Sequence, residues 1–478
     1  HEWDTGKYLG QIAQARQTYN VIGNMNEFQL TIGETTFGGR PELVDTTGII
    51  DYGSLIYLGL QRSRTAREAI KVMTELVQEY GYYSGGESFT IADPNEIWIM
   101  EMIGKGPGVR GAVWVAVRVP DDCISAHANQ SRIHQFNMND KENCMYSPDV
   151  ISFAREKGYF DGVNKDFSFA NAYAPLDFGA RRYCEARVWS YFNMFTDRGN
   201  EFLPYILGET NTPMPLFVKP NRKVSVQDVK NAMRDHYEGT PLDISKDFGA
   251  GPYHTPYRLS PLSFKVGDRE YFNERPISTQ QSGFVFVAQM RSELPDPIGG
   301  VLWFGTDDAN MTVFTPVYCC TDKVPVCYTR VDGADYITFS WNSAFWIFNW
   351  VANMVYPRYD LMMGDVRATQ TELETTFNEA QEGVEAAAAK LLEKDPAKAK
   401  AFLTNYTNMT AQSTFDTWKR LGEFLVVKYN DGVVKRMKNG QFERNSIGQP
   451  AGVIRPGYPK EFLEEYVKQT GDRYKMPE

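Results

Sequence analysis

Histidine and cysteine are scarce in this sequence, with five His and six Cys in 478 residues. A multi-histidine metal centre would use most of that histidine. Six Cys in so long a chain do not make a disulfide scaffold. No Walker loop, G-x-S-x-G elbow or H-E-x-x-H helix occurs, so the common nucleotide, serine-hydrolase and zincin chemistries lack their anchors. Basic charge is short as well. Fifty Lys and Arg stand against 60 Asp and Glu, a net charge of −10. With neither a basic balance nor a basic stripe, nucleic acid is not the expected partner. The opening HEWDTGKYLG has neither the basic start nor the apolar run of a signal peptide.

Long uncharged runs are almost missing too. The exception, Tyr336 to Pro357, is long enough to span a bilayer. Thr338, Ser340, Asn342, Ser343, Asn349 and Asn353 interrupt it, and its rings are spread throughout instead of forming two interfacial belts. It reads as buried core, with no membrane partner. What the chain does have is ordinary globular composition, 42% hydrophobic, and an aromatic content of 14% that favours a large core and ring-lined pockets. The length allows two or three domains, or one large domain with insertions.

Four short motifs carry less than their letters suggest. Gly106-Pro-Gly108-Val-Arg-Gly111 matches a dinucleotide fingerprint, but such a loop must open a helix. Here Ala112 to Val119 alternates like a strand, so the glycines read as a hairpin connection. Cys319, Cys320 and Cys327 lack paired C-x-x-C spacing and read as buried free thiols. His127 and His134, seven apart, read as core or loop histidines instead of a ligand pair. Asp307-Asp308 reads as a solvated turn, with cation attraction as the alternative.

Strand and helix patterns alternate early in the chain. Gln29 to Thr36 reads as a strand closed by Gly38-Gly39. Thr65 and Glu68 predict a capping box for a helix ending at Tyr80, with Gly81 at its stop. Strand-like runs follow at Ser88 to Ala92, Glu96 to Ile103, Ala112 to Val119 and Cys123 to Asn129. Tyr183 to Phe195 reads as an aromatic helix, and Lys219 to Asp268 as a turn-rich stretch. Strands resume at Gly283 to Gln289, Gly300 to Trp303, Thr312 to Val317 and Tyr336 to Phe339. Leu373, Phe377, Ala380, Val384, Ala387 and Leu391 form a helical stripe that packs on its own domain in preference to a coiled-coil partner. Asp395-Pro396 starts a second helix, and Phe415, Trp418, Leu421 and Leu425 mark a third.

Four segments together resemble one family: Gly23-Asn-Met-Asn-Glu-Phe-Gln-Leu-Thr-Ile-Gly-Glu-Thr-Thr-Phe-Gly-Gly39, Ser88-Phe-Thr-Ile-Ala-Asp-Pro-Asn-Glu96, Ile124-Ser-Ala-His-Ala-Asn-Gln-Ser-Arg132 and Asp307-Asp-Ala-Asn310. They are similar to the dipeptidase A family of cysteine peptidases, with the secernins as relatives. More distantly they resemble penicillin V acylase and bile salt hydrolase. The resemblance implies an α+β fold, the N-terminal-nucleophile hydrolase sandwich of four αββα layers, with a helical C-terminal part. It implies a hydrolase core over residues 1–358, carrying the turn-rich insertion at about 219–268, and a helical region over 359–478 packed on that core.

The resemblance also implies a mechanism. An N-terminal Cys thiolate attacks the amide carbonyl, its own α-amine serves as base, and nearby donors stabilise the oxyanion. On this sequence Asn129 falls where the family places an oxyanion-hole Asn. Arg182 falls where the acylases keep an arginine beside the nucleophile, with the adjacent Arg181 as the alternative register. Thr36 falls where some relatives place a second donor, an Asn or Tyr. Read without the resemblance, Asn129 is a turn residue and Arg182 a surface cap or pair.

None of Cys123, Cys144, Cys184, Cys319, Cys320 or Cys327 is N-terminal, which sets the expectation that His1 is a truncation point and that the nucleophile lies before it. The expected function is dipeptide hydrolysis by the parent protein, with no activity in the 478-residue piece. No cofactor and no metal are expected, and a small peptide is the expected partner, with a homo-oligomer left open. The compartment, cytoplasm or export, is left open as well. The alternatives are an amidase for acyl amides and a non-catalytic, secernin-like binding protein.

Overall fold

Strands with alternating burial dominate the first part of the chain in a computed structural model that describes all residues, His1–Glu478. β1 (Val21–Ile22), β2 (Met25–Asn26), β3 (Thr31–Gly38), β4 (Gly86–Ala92), β5 (Ile97–Gly104), β6 (Ala112–Arg118) and β8 (Cys144–Tyr146) form one antiparallel sheet in the order β1-β2-β3-β4-β5-β6-β8. The intervening β7 (Ile124–Ser125) pairs instead with β9 (Phe217–Val218). The glycines at 106, 108 and 111 join β5 to antiparallel β6, the hairpin connection expected of them.

One face of this sheet, with Ile32, Phe89, Ile91, Trp98 and Met100, buries against α1 (Tyr52–Arg62) and α2 (Ala66–Tyr80). The ends of both helices are set locally. The Asp51 carboxylate accepts from Ser54 N–H, and the Thr65 hydroxyl accepts from Glu68 N–H. Glu68 reaches back to the amide of Arg64, one residue earlier than a capping box requires. Gly81, at φ +78, ends α2 in a conformation that costs other residues. On the opposite face Ile99, Ile103, Val113 and Val115 bury against α3 (Val150–Glu156) and α4 (Phe169–Tyr173).

A wide π-type turn, Ala180–Glu185, leads into α5 (Ala186–Phe195), which packs against α6 (Gly199–Ile206). The turn-rich stretch holds more order than its composition suggests. It contains α7 (Val226–Ala232), opened by a Ser225–Asp228 capping box, and a hairpin of β10 (Ser263–Val266) and β11 (Arg269–Phe272).

β12 (Phe284–Gln289), β13 (Val301–Thr306) and β14 (Thr315–Tyr318) make a second antiparallel sheet, with α8 (Asp296–Gly299) between the first two. Val285, Val287, Val301, Trp303 and Tyr318 form one core with residues of α9 (Ala344–Val355), α10 (Tyr359–Leu392) and α11 (Pro396–Tyr429). On the other face Leu302 and Val317 meet Ile22 and Met25, so the β1–β2 hairpin joins the two sheets. Gly33 of β3 lies beside the ring of Phe286. The small sheet thus meets the β1–β3 end of the large sheet on one face and is covered by helices on the other. α12 (Lys460–Thr470) follows with no buried residue.

Three segments differ from their sequence patterns. Of Cys123 to Asn129, only Ile124–Ser125 is strand. Ala126 gives its carbonyl to Arg132 instead of to a ladder, and Asn129 turns at φ +61. Tyr336 to Phe339 is neither strand nor buried core, since Tyr336 is 75% and Ile337 95% exposed. Its polar groups close on each other: Asp335 accepts from Ile337 N–H, and Trp346 Nε1–H donates to the carbonyls of Asp335 and Thr338. Burial begins only with α9, and no helix is long and apolar enough to cross a membrane. Phe415, Trp418, Leu421 and Leu425 do not start a third helix; they lie on α11, continuous from Pro396. The helix runs on through Gly422, where a Cβ would overlap the ring of Trp350.

Candidate functional site

At the end of β3 the register with β4 shifts between Thr36 and Gly38. This bulge frees the Thr36 carbonyl to accept from Asn129 Nδ2–H at 2.7 Å. The Thr36 hydroxyl turns to the other side and donates to Glu87 Oε1 at 2.9 Å.

Asn129 is held at both ends. Its φ of +61 lies in the left-handed region, which Asn tolerates better than most residues. Its Oδ1 accepts from Arg187 Nη2–H at 2.9 Å, and the same guanidinium donates to the carbonyls of Ala128 and Tyr183. An amide nitrogen carries two hydrogens, and Thr36 takes one. The second N–H of Asn129 remains a fixed donor, which suits it to an oxyanion.

Buried charge stiffens the loop behind it. Arg132 and Glu185, each 3% exposed, pair at 2.9 Å. Arg132 also donates to the carbonyls of Ala126 and Pro215. Glu101, fully buried, accepts from the Ser131 hydroxyl and from the amides of Arg132 and Ile133. Burial nevertheless pushes its carboxyl up to about 7, because those three bonds offset only part of the desolvation.

His127 bridges two threonines, its Nδ1 bonding Thr35 at 2.6 Å and its Nε2 bonding Thr90 at 2.7 Å. Burial, then Arg132 and Arg187, lower it to about 4, so the ring is neutral near pH 7. His134 bonds Ser168 elsewhere, and the two histidines do not converge.

The adjacent arginines diverge. Arg181 donates to the carbonyls of Tyr205 and Thr210 and to Asn211 Oδ1. Arg182 pairs with Glu274, and its guanidinium lies 4.8 Å from the centre of the Phe272 ring. Glu274, Tyr183 and Arg275 line a cavity of about 330 Å³. Arg182 makes no bond to Asn129, so of the three expected site residues the structure joins Thr36 and Asn129 directly. The arginine that does reach Asn129, Arg187, was not singled out by sequence. Its signal was hidden by the π-type turn, which displaces Arg187 from the spacing a regular helix would give relative to Arg182.

The six cysteines are free, and burial pushes every one of their thiols up: Cys144 and Cys320 to about 11, Cys327 to about 12, and Cys123, Cys184 and Cys319 also upward. A raised thiol gives little thiolate near pH 7. Asp307 and Asp308 are 1% and 0% exposed, which overturns the solvated-turn reading. Asp308 accepts from the hydroxyls of Tyr257, Tyr356 and Ser278 and from Asn310 N–H. Asp307, bonded by Asn349 Nδ2–H, is raised to about 8 by burial.

A family model described as Peptidase family C69 matches residues 2–372. The chain is similar to a probable dipeptidase of Salmonella dublin, 31% identical over 325 residues, covering 66% of this chain and 65% of that protein. It is also similar to a probable dipeptidase of Latilactobacillus sakei, 27% identical over 352 residues, covering 73% and 66%. A probable dipeptidase B of Lactococcus lactis is 27% identical over 384 residues, covering 78% and 71%. The chain thus spans just under two thirds of the length of the first two.

Proposed function

The chain belongs to peptidase family C69, and on that premise we propose that its parent protein is a cysteine-type dipeptidase of the N-terminal-nucleophile class. The thiolate of an N-terminal Cys outside these 478 residues adds to the scissile carbonyl carbon, with its own α-amine holding the thiol proton. Asn129, through its uncommitted N–H, stabilises the oxyanion, and Thr36 aims that amide through its carbonyl. The intermediate collapses to a thioester as the amine leaves with the proton, and water then releases the amino acid. Arg182, paired with Glu274, is the cation that this reading sets beside the nucleophile. Residues 1–358 are the hydrolase core and 359–478 its helical region.

The observation that carries this reading is Asn129 at positive φ, fixed by Thr36 and Arg187 with one amide hydrogen to spare. A large antiparallel sheet, a second sheet meeting its β1–β3 end and helices on the outer faces support the fold class. The raised thiols of all six cysteines support a nucleophile other than these. The test compares the 478-residue chain with the same chain carrying its native upstream residues. Alkylation-sensitive hydrolysis of dipeptides by the longer form alone is the expected result. Alkylation-sensitive turnover by the shorter form would refute it, and no turnover by either would favour a secernin-like binding protein.

A further inference from the structure

The inner face of the small sheet ends in rings that the proposed chemistry does not use. Phe284 opposes Thr306 and Phe286 opposes Phe304 across β12 and β13, so all four share the face that meets the large sheet. Two contacts fix how β12 crosses β3. The Thr31 hydroxyl reaches Met290 Sδ at 3.8 Å, and Gly33 lies beside the Phe286 ring. Side chains repeat every second residue along both strands, so Phe284 continues this line toward Thr35. The Thr35 hydroxyl bonds His127 at 2.6 Å, two residues before Asn129. Phe284 therefore borders the same gap between the sheets as the Asn129 loop.

This end of the small sheet is hollow. A cavity of about 320 Å³ is lined by Phe284, Phe304, Tyr328, Tyr336, Phe345 and Trp346. The rings brace one another. Phe284 stacks on Phe304 with centroids 6.0 Å apart, Tyr328 meets Phe304 edge-on at 5.1 Å, and Tyr336 meets Phe345 edge-on at 5.4 Å. Their side of the gap is open, since Phe284 and Tyr336 are both exposed.

The polar groups around the cavity are committed elsewhere. Trp346 Nε1–H donates to the carbonyls of Asp335 and Thr338, and the Tyr328 hydroxyl bonds that of Thr315 at 2.8 Å. Arg330 and Asp335, also in the lining, pair with each other at 3.1 Å. A charged ligand group would find no free counter-charge here and would lose its water. One polar atom is left over. The hydroxyl of Thr306, a lining residue only 7% exposed, is buried without a hydrogen-bond partner. Buried hydroxyls seldom go unpaired, and this one suits a phenol entering among the rings. Rings packed edge to face favour a further ring over an aliphatic group of the same size.

We propose that this cavity receives an aromatic side chain of the peptide substrate, an assignment that rests on the dipeptidase reading and deepens it by selecting among dipeptides. Phe284 and Tyr336 are the specificity-determining residues. Tyrosine-containing dipeptides are favoured, and those with small or charged side chains are not.

Calorimetric titration of the 478-residue chain tests this without any nucleophile. L-tyrosyl-L-alanine or L-alanyl-L-tyrosine should bind saturably, on the order of ten- to 100-fold more tightly than L-alanyl-L-alanine. Phe284→Ala and Tyr336→Ala, both on exposed side chains, should each remove most of that preference while the melting temperature holds. Ile337→Ala, exposed but outside the lining, should keep it. In the longer form the same two variants should lower kcat/KM for the tyrosine dipeptide and leave that for alanylalanine unchanged. Equal binding of the three peptides, no saturable binding of either tyrosine peptide, or full preference in both lining variants would overturn the proposal. Hydrolysis by the longer form without aromatic preference would remove the pocket and keep the dipeptidase. Absence of hydrolysis alongside intact aromatic preference in binding would remove the enzyme and keep the pocket.

Discussion

Two groups distant in sequence, Thr36 and Arg187, leave the Asn129 amide little freedom, and under the proposed mechanism its partners say what a substitution should do. Loss of one oxyanion donor typically lowers kcat on the order of 100- to 1,000-fold. In an active long form, Asn129→Ala should lower kcat to that extent while KM stays close to wild type; the melting temperature should fall as well, because Ala at positive φ loses the bonds to Thr36 and Arg187. A normal kcat with a lowered melting temperature would return Asn129 to a turn residue. Glu101 makes a second prediction, with a defined sign. Its folded value, about 7, lies above the ordinary glutamate range, so the folded chain holds a proton that the unfolded chain has released. Its stability contribution is complete below about pH 4.3 and is lost as pH rises to about 7. Urea unfolding across that window should show a shallower pH slope for Glu101→Gln than for wild type; equal slopes would refute it. Asp308→Ala should strand the buried hydroxyls of Tyr257 and Ser278, at about 1–3 kcal/mol each, and free the half-buried one of Tyr356, and chemical denaturation should show a loss of several kcal/mol. Sequence resemblance pointed to Thr36 and Asn129 but could not supply Arg187 or Glu87. These partners are far apart along the chain and carry no local motif.

At the scale of elements, legibility followed how much of each element's structure is decided locally. α2 was readable to within a residue because its cap, its apolar spacing and its Gly81 stop are all short-range. The strand proposed at Cys123 to Asn129 was misread because the interaction that ends it, Arg132 to the Ala126 carbonyl, comes from a tertiary turn. The uncharged run was half legible. Hydropathy marked the run as buried core, which holds for Ile347, Phe348, Val351 and Val355, but it did not give the helix that buries them or separate it from the exposed turn before it. Two substitutions should expose that boundary. Ile337→Ser, on a 95% exposed side chain, should change stability by no more than about 0.5 kcal/mol. Trp418→Ala, which removes a buried ring stacked on Phe348 of α9, should cost about 3–5 kcal/mol, read by the same denaturation. Comparable losses for both would mean the aromatic segment is not the free turn described.

For the whole molecule, the proposed thiol chemistry predicts that dipeptidase activity in the long form survives EDTA. Loss on chelation with recovery on added zinc or manganese would replace the thiol mechanism with a metal-dependent one. The layering has another consequence, in time. The three strands of the small sheet are complete by Tyr318, but the helices that cover Val285, Val287, Val301 and Trp303 end only at Tyr429. At ribosomal speeds of about 5–20 residues per second, the sheet waits on the order of 5–20 s for its cover. During that interval its apolar face is open to other nascent chains, and a chaperone able to hold an uncovered β-surface would set the yield of folded protein.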